Sequence, residues 1–265
     1  MSRRTGALVS ADRQQRIAEL VSGRRSIRVS ELVEIFSVSD ETIRRDLDAL
    51  ARDGLIRRTH GGAVATSTRH ESDYGRRLLE REAEKQAIGR LALDFVGDGS
   101  TIILDSGTTV LQLAKAMTAK TNILVVTNAI TNVIELNQAP NVSVVMTGGI
   151  IRPDTWDAVG DLAVNSLKEL HVDQTFLSIS AVSIDGGLTY PSLEEIAVKR
   201  AMIQAASEVT LLADSSKFDR EALVRVAPLS AVARIISTPG LSAEMKRAIA
   251  DLGIELIVAE VGDDV

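Results

Sequence analysis

The sequence predicts an α/β multidomain protein: a small N-terminal winged helix-turn-helix, then a larger layered α/β domain with a mostly parallel sheet. Three observations carry this reading. Residues 1–90 hold 18 Lys and Arg against 14 Asp and Glu, whereas the remaining 175 residues hold 12 against 22. A head of net charge +4 therefore precedes a body of −10, which suggests two modules with different partners. Second, the first 65 residues pattern as three short helices and a hairpin. Third, from residue 100 onward short runs that are apolar on both faces alternate with helical segments, as parallel strands covered by helices do. The expected domains are 1–65, the winged helix-turn-helix; 66–98, a linker and connecting helix; and 99–265, the α/β domain.

In the head, Ser10 is placed to cap a first helix over 11–22, with Ile17, Leu20 and Val21 at helical spacing and Gly23 as its stop. Ser30 is placed to cap a second helix over Glu31–Phe36, and Ser37–Ser39 makes a tight turn. Ser39 then caps a third helix from Asp40 to about Arg52, closed by Gly54. Two small strands, Leu55–Arg58 and Gly61–Val64, flank a tip at Thr59–His60. Residues 66–76 lack periodicity and read as linker, and Arg77–Phe95 reads as a single connecting helix.

In the body, the expected strands are Thr101–Leu104, Ile123–Val126, Val142–Met146, Thr175–Ile179, Val209–Leu212, Ala233–Ile236 and Ile254–Val258. The helices between them are Thr109–Met117, Ala129–Leu136, Leu162–Glu169, Leu193–Ala206 and Ala243–Leu252.

Composition excludes several chemistries. Of 265 residues 45% are apolar and 25% charged, enough for sizeable cores, and none is cysteine. Disulfides, thiolate metal sites and cysteine nucleophiles are thereby ruled out. Arg3, Arg4, Asp12, Arg13 and Arg16 interrupt the first thirty residues, so no secretory signal is expected. The apolar runs are far short of a membrane span. A cytoplasmic protein with no membrane partner is the expectation. The three histidines, His60, His70 and His171, are too dispersed for a metal motif, and no nucleophile elbow, P-loop or dinucleotide fingerprint occurs. Neither a cofactor nor a metal is expected. The overall charge of −6 is no argument against nucleic acid, because it averages two unlike segments.

The third helix carries the sharpest chemistry. Ile43, Leu47 and Leu50 fall within about 60° on a helical wheel and face a small core. The opposite side shows Glu41, Arg45, Asp48 and Arg52, with Thr42 and Arg44 on the flanks. A helix, a three-residue turn and a helix with Thr and two Arg in its first turns match a helix-turn-helix, whose second helix reads base edges in the major groove. Arg44 and Arg45 diverge by about 100°, so one is expected on a base and the other on phosphate. In the hairpin, Arg57, Arg58 and His60 are placed to reach the backbone or minor groove, and Gly61 and Gly62 to permit close approach. Of the seven aromatic residues only Phe36 lies in the first sixty, so stacking on single strands is disfavoured and double-stranded DNA is the better target. A solvated basic face is the plainer reading of the same arginines.

The strings TIRRDLDAL and GLIRRTHGGA together resemble the N-terminal signature of the DeoR family of bacterial transcriptional regulators. The resemblance covers nearly the whole chain. It implies a repressor of a sugar or carbohydrate catabolic operon, de-repressed when a sugar phosphate binds a C-terminal domain similar in fold to ribose-5-phosphate isomerase. The implied DNA-contacting set is Ser30, Ser39, Glu41, Thr42, Arg44, Arg45, Arg57, Arg58, His60, Gly61 and Gly62.

In the second domain, a strand ends at Asp105 and Ser106-Gly107-Thr108-Thr109 turns into a helix, a natural anion cradle or an ordinary helix cap. Asp105 sits where open α/β sheets bind ligands and is placed to accept from sugar hydroxyls. Thr127-Asn128, Thr147-Gly148-Gly149 and Asp214–Lys217 follow other strand ends, and Lys217 is the natural cationic partner for a phosphate. The family resemblance implies that these segments line a sugar-phosphate pocket, with Arg152 and Glu194 as further polar contacts. Trp156 is either a hydrophobic plug or a pocket wall, and Tyr190 is a candidate lid. Two departures from the family pattern, Ser178–Ala181 in place of a glycine-rich stretch and Ser237-Thr238 near a strand end, leave the sugar undefined.

The alternative function is a sugar-phosphate isomerase with a DNA-binding appendage, in which Asp105 or Glu194 acts as base and Lys217 as electrophile. The regulator reading is preferred, with no catalytic residues. Because operators are read by paired subunits, a homodimer or homotetramer is expected.

Overall fold

The computed structural model describes residues 13–14, 16–18, 20–21, 26–52, 56–59, 61–65 and 71–261. The chain forms two compact units, Met1–Asp73 and Tyr74–Val265.

In the first unit, the described residues between 13 and 21 are helical (α1). They are followed by β1 (Ser26–Arg28), α2 (Val29–Phe36), α3 (Asp40–Arg52), β2 (Ile56–Thr59) and β3 (Gly62–Ala65). Ile17, Val21, Ile27, Leu32, Ile43, Leu47, Leu50 and Ile56 share one buried core, so the apolar stripe expected on the third helix does face inward. Ser39 caps α3 as expected: its Oγ accepts from the Thr42 N–H at 3.2 Å. The preceding turn is closed by Ser37, left-handed at φ 52°, whose N–H donates to the Val33 carbonyl at 2.9 Å.

Ser30 is not a cap. The helix starts one residue before it, at Val29, and its N-cap Arg28 has extended backbone and makes no side-chain cap bond. The wing strands are each displaced by one residue from expectation. Thr59 pairs with Gly62, which puts the tip at residues 60 and 61. Strand β1 is too short to leave a periodic signature, and it pairs antiparallel with β3 to give the order β1-β3-β2. This pairing explains Gly62. A Cβ there would lie 2.1 Å from the Ile27 carbonyl oxygen, so the position needs space rather than a left-handed backbone. Ser10, Gly23, Gly54 and His60 lie outside the described residues, as does the side chain of Arg57.

The second unit is built on a seven-stranded sheet, all of whose pairings are parallel. Its strands are β4 (Thr101–Leu104), β5 (Ile123–Thr127), β6 (Val142–Met146), β9 (Val172–Leu177), β12 (Ala206–Leu212), β14 (Arg234–Ser237) and β15 (Glu255–Val258). They lie in the order β15-β14-β12-β9-β4-β5-β6. Every strand expected from the apolar runs is present. Helices α6 (Val110–Ala116), α7 (Ile130–Leu136), α8 (Asp161–Lys168), α9 (Leu193–Ala205) and α10 (Ala243–Asp251) also lie where expected, within two residues at each end. The pairs β7 (Ile150–Ile151) with β8 (Ala158–Val159), and β10 (Ala181–Ser183) with β11 (Gly187–Tyr190) and β13 (Val224–Ala227), are antiparallel additions not expected from the sequence.

The expected connecting helix is in fact two, α4 (Glu71–Leu79) and α5 (Glu82–Ala92), broken at Arg81, which is left-handed at φ 53°. No Gly or Pro marks this break. The expected linker over 66–76 is helical from Glu71 onward, and α5 is part of the second unit, which begins at Tyr74: Ala87, Ile88 and Ala92 are buried with Ile102, Leu104 and Leu113 in one of its cores.

Chain order makes β4 and β9 the point where the sheet changes direction. From β4 the chain proceeds to β5 and β6 on one side, then returns to β9 and builds outward on the other. The crevice beyond the carboxyl ends of such a pair is where open α/β sheets bind ligands.

The close approach at Gly62 sets a test of the N-terminal unit. Gly62→Ala should destabilise it by about 1–3 kcal/mol in denaturant unfolding, since the opposing atom is backbone. Gly61→Ala, whose Cβ meets nothing within 4 Å, should cost far less.

Candidate functional site

Two surfaces carry chemistry, one in each unit. On α3, the outward stripe alternates in charge. Arg45 donates from Nη2 to Glu41 Oε1 at 2.5 Å, and Arg44 bonds Asp40 through Nε, each pair one turn apart. The Arg44 hydrogen bond and charge hold the Asp40 carboxyl below its ordinary range. These pairs are well exposed and contribute little stability, so the guanidinium groups are exchangeable. Thr42 is tied into the cap, its Oγ1 2.8 Å from Ser39 Oγ. Arg58 is only part-exposed and pairs with Asp48 at 3.3 Å, linking the wing to α3. The sequence reading missed Asp46, which is buried beneath the stripe and accepts from Arg13 Nε at 2.6 Å and Gln14 Nε2 at 2.9 Å. This anchors α1 to α3 and fixes the helix's rotation.

In the second unit, a crevice of about 180 Å³ opens beside the ends of β4 and β9. Its walls include Gly107, Thr108 and Thr109 after β4, Ser178 to Ser180 after β9, and Asp214, Ser216 and Lys217 after β12. Tyr190 lines it too, as a wall rather than a lid: it is buried in β11. Four cations, Arg77, Arg81, Lys85 and Lys217, surround the opening with only Glu80 and Asp214 against them. Of these cations only Lys217 was anticipated. Arg77, Arg81 and Lys85 were missed because a single connecting helix gave no reason to bring them to a strand end.

Asp214 orients this corner. Its carboxylate accepts from the Ser216 N–H at 3.1 Å and from Arg81 Nη1 at 3.0 Å. Burial acts to raise its pKa, but the bonds from Ser216 and Arg81 and the Lys217 charge outweigh it, so the carboxyl sits below its ordinary range. Lys85 is buried, and that burial pulls its pKa down. Gly107 is left-handed at φ 129°, and a Cβ on it would lie 2.6 Å from Ser178 Oγ. Helix α6 has only seven residues, so the charge for an anion comes from the side-chain cations rather than from a long helix dipole.

Asp105 does not offer its carboxylate to a ligand. It is fully buried, and its oxygens accept from the Ser106 N–H (2.8 Å), the Ser178 N–H (2.9 Å), Ser178 Oγ (3.0 Å) and Lys199 Nζ (2.5 Å). Lys199, on α9, is equally buried and lies 4.5 Å from the centre of the Tyr190 ring. Ser106 points its hydroxyl toward Asp157 at 3.3 Å, away from the crevice.

The ends of β5 and β6 likewise serve the interior. Thr127 Oγ1 donates to the Leu104 carbonyl at 2.7 Å, and Asn128 Nδ2 to the Ala158 carbonyl at 3.2 Å. Gly149 leaves no room for a Cβ against the Val159 carbonyl, while Gly148 is open and left-handed. Arg152 is held by Asp154, Glu195 and Ser192, with Glu194 at 3.7 Å and mostly exposed. Trp156, left-handed at φ 58° and 43% exposed, is neither a buried plug nor part of this crevice's lining. Burial raises the Asp157 and Glu195 carboxyls, and the nearby Lys199 and Arg152 charges offset it only in part.

The N-terminal residues 13–69 match the description "DeoR-like helix-turn-helix domain", and residues 80–238 match "DeoR C terminal sensor domain". The chain belongs to the DeoR family. Relatives include the regulator YulB of Bacillus subtilis, 37% identical over 94% of this chain and 96% of its own. The regulator GlpR of Haloferax volcanii is 35% identical over 94% and 98%. The glycerol-3-phosphate regulon repressor of Haemophilus influenzae is 37% identical over 83% and 86%. Among solved structures, a ribose-5-phosphate isomerase in complex with phospho-erythronic acid aligns over 52% of this chain and 54% of its own, at TM-score 0.38 and 15% identity, a likeness too slight to carry chemistry.

As a DeoR-family member the protein is a DNA-binding transcriptional repressor, not an enzyme. No helix among the described residues is long and apolar enough to cross a membrane, and no group of acidic or histidine side chains there is arranged to hold a metal ion.

The buried ion pair sets the test for this region. Lys199→Met should destabilise the second unit by about 3–5 kcal/mol, because it strands the Asp105 charge. Removing both charges in Asp105→Asn/Lys199→Met should cost clearly less, as read by denaturant unfolding.

Proposed function

We propose that the protein represses a sugar or carbohydrate catabolic operon and releases it when a sugar phosphate occupies the crevice of the second unit. The observation that carries this reading is the excess of four cations over two carboxylates around a crevice at the sheet's switch point. A phosphate there meets Lys217 and the arginines, while Thr108, Thr109 and Ser180 offer hydroxyls to the sugar. The volume suits a small phosphorylated metabolite. That one relative is named a glycerol-3-phosphate regulon repressor agrees with this ligand class.

On the DNA side, α3 enters the major groove of double-stranded operator DNA. Arg45, on the outermost stripe, exchanges Glu41 for a base edge, and Arg44, on the flank, exchanges Asp40 for phosphate. Ser39 and Thr42 set the helix's first turn, and Arg58 and the wing flank the site, with Gly61 open to close approach. Two or four copies pair to read both operator halves. The protein acts in the cytoplasm, where its DNA and its metabolite both are. The ligand weakens repression only insofar as it binds the DNA-incompetent state more tightly.

Arg45→Ala should weaken operator binding by about 1–3 kcal/mol in gel shifts, with a smaller loss on random DNA. An equal loss on both would make Arg45 a phosphate contact. In a thermal-shift panel of pentose, hexose and triose phosphates, at least one should raise the melting temperature by mass action, and Lys217→Ala should abolish that rise. A panel without effect would overturn the ligand assignment.

A further inference from the structure

The break between α4 and α5 is held by Lys85. Lys85 is 2% exposed, and its ammonium donates to the carbonyls of Arg77 and of Leu78, the latter at 2.9 Å. These are carbonyls of the last turn of α4, which have no partner within the helix. A lysine reaching back from the next helix thus acts as the C-terminal cap of α4. Beside it, Arg81 occupies the left-handed break and ties to Asp214 at 3.0 Å and to Glu84 at 3.0 Å. Arg77, Arg81 and Lys85 all line the crevice. Lys85 therefore belongs to two structures at once, the cap of a helix and the wall of a cation-rich opening.

Helix α4 is also where the chain passes from one unit to the other. Glu71–Asp73 group with the DNA-binding unit, and Tyr74–Leu79 with the second. Within the second unit α4 is further tied by Tyr74, whose hydroxyl lies 3.4 Å from Thr131 Oγ1 on α7.

We infer that Lys85 is a positioning residue that couples the crevice to α4. A phosphate in the crevice draws its ammonium away from the carbonyls of Arg77 and Leu78, and draws Arg81 away from Asp214. The inference rests on the reading of the crevice as a phosphate site. Its physical basis is that a doubly charged oxyanion is a stronger acceptor for a buried ammonium than two neutral carbonyls. Once uncapped, the last turn of α4 loses the ammonium that bridges two of its carbonyls, and the helix is loosened from that end. Ligand binding is thereby converted into a change in α4, at whose start the chain leaves the first unit.

The test is hydrogen exchange by mass spectrometry on the full chain, in inorganic phosphate and in sodium chloride of matched ionic strength, with phosphate binding followed by calorimetry. In the wild-type protein, phosphate should speed exchange of the amides at 76–80 by about tenfold over chloride, the mark of a helix end opening locally. Lys85→Met should exchange fast in both salts. Lys85→Arg, which keeps a cationic donor, should retain slow exchange in chloride and the response to phosphate. The coupling is overturned if phosphate binds, with binding lost in Lys217→Ala, yet exchange at 76–80 is unchanged or slower. It is equally overturned if Lys85→Met behaves as wild type. If calorimetry detects no phosphate binding, the crevice reading itself falls and the coupling with it.

Discussion

The buried pair of Asp105 and Lys199 is the interaction on which the second unit's site depends. It sits where the sheet changes direction, and the Asp105 carboxylate gathers the start of the Gly107 loop, the end of β9 and a side chain of α9 around one point. Two charges that are each 1% exposed would be costly apart. Together, with the Ser178 hydroxyl and two backbone N–H groups satisfying the remaining oxygen valence, they set the geometry of the loop above. The position of Ser178 Oγ then leaves space only for glycine at 107, and that shapes the floor of the crevice. The pair thus builds the site without taking part in it.

Charge is used differently at the two surfaces. In the crevice an otherwise acidic body concentrates cations from α4, the α4–α5 break, α5 and the turn after β12. On α3, Arg44 and Arg45 are each already matched to a carboxylate one turn earlier. Such exposed pairs are weak, so DNA phosphates and bases replace the carboxylates at little cost, while the neutralised stripe limits indiscriminate attraction to nucleic acid. The acidic body acts in the same direction.

The frame was legible in the sequence because its signals are long or chemically marked. Seven apolar runs gave the parallel sheet, and the Ser39 cap with the Ile43, Leu47 and Leu50 stripe gave α3. What escaped has physical causes. Strands of two or three residues, such as β1 and β7, carry too few positions to show a period. The α4–α5 break lies at an arginine stabilised by tertiary contacts, so no turn residue announces it, and with it went Arg77, Arg81 and Lys85. Asp105 was correctly placed at the switch point but assigned to the ligand, since its true partner, Lys199, lies 94 residues away. Thr127 and Asn128 stand at strand ends as expected, yet their side chains bond the Leu104 and Ala158 carbonyls, and Gly149 is crowded by the Val159 carbonyl.

The claim that joins the two units is that a sugar phosphate held in the crevice weakens DNA binding. Fluorescence anisotropy of an operator duplex titrated with the full-length protein tests it most directly, in the absence and presence of a sugar phosphate whose binding has been shown by calorimetry. The account predicts a loss of affinity of about tenfold or more at saturation, the scale of a typical coupling free energy, and no such loss in Lys217→Ala. Unchanged operator affinity with the crevice demonstrably filled would contradict it.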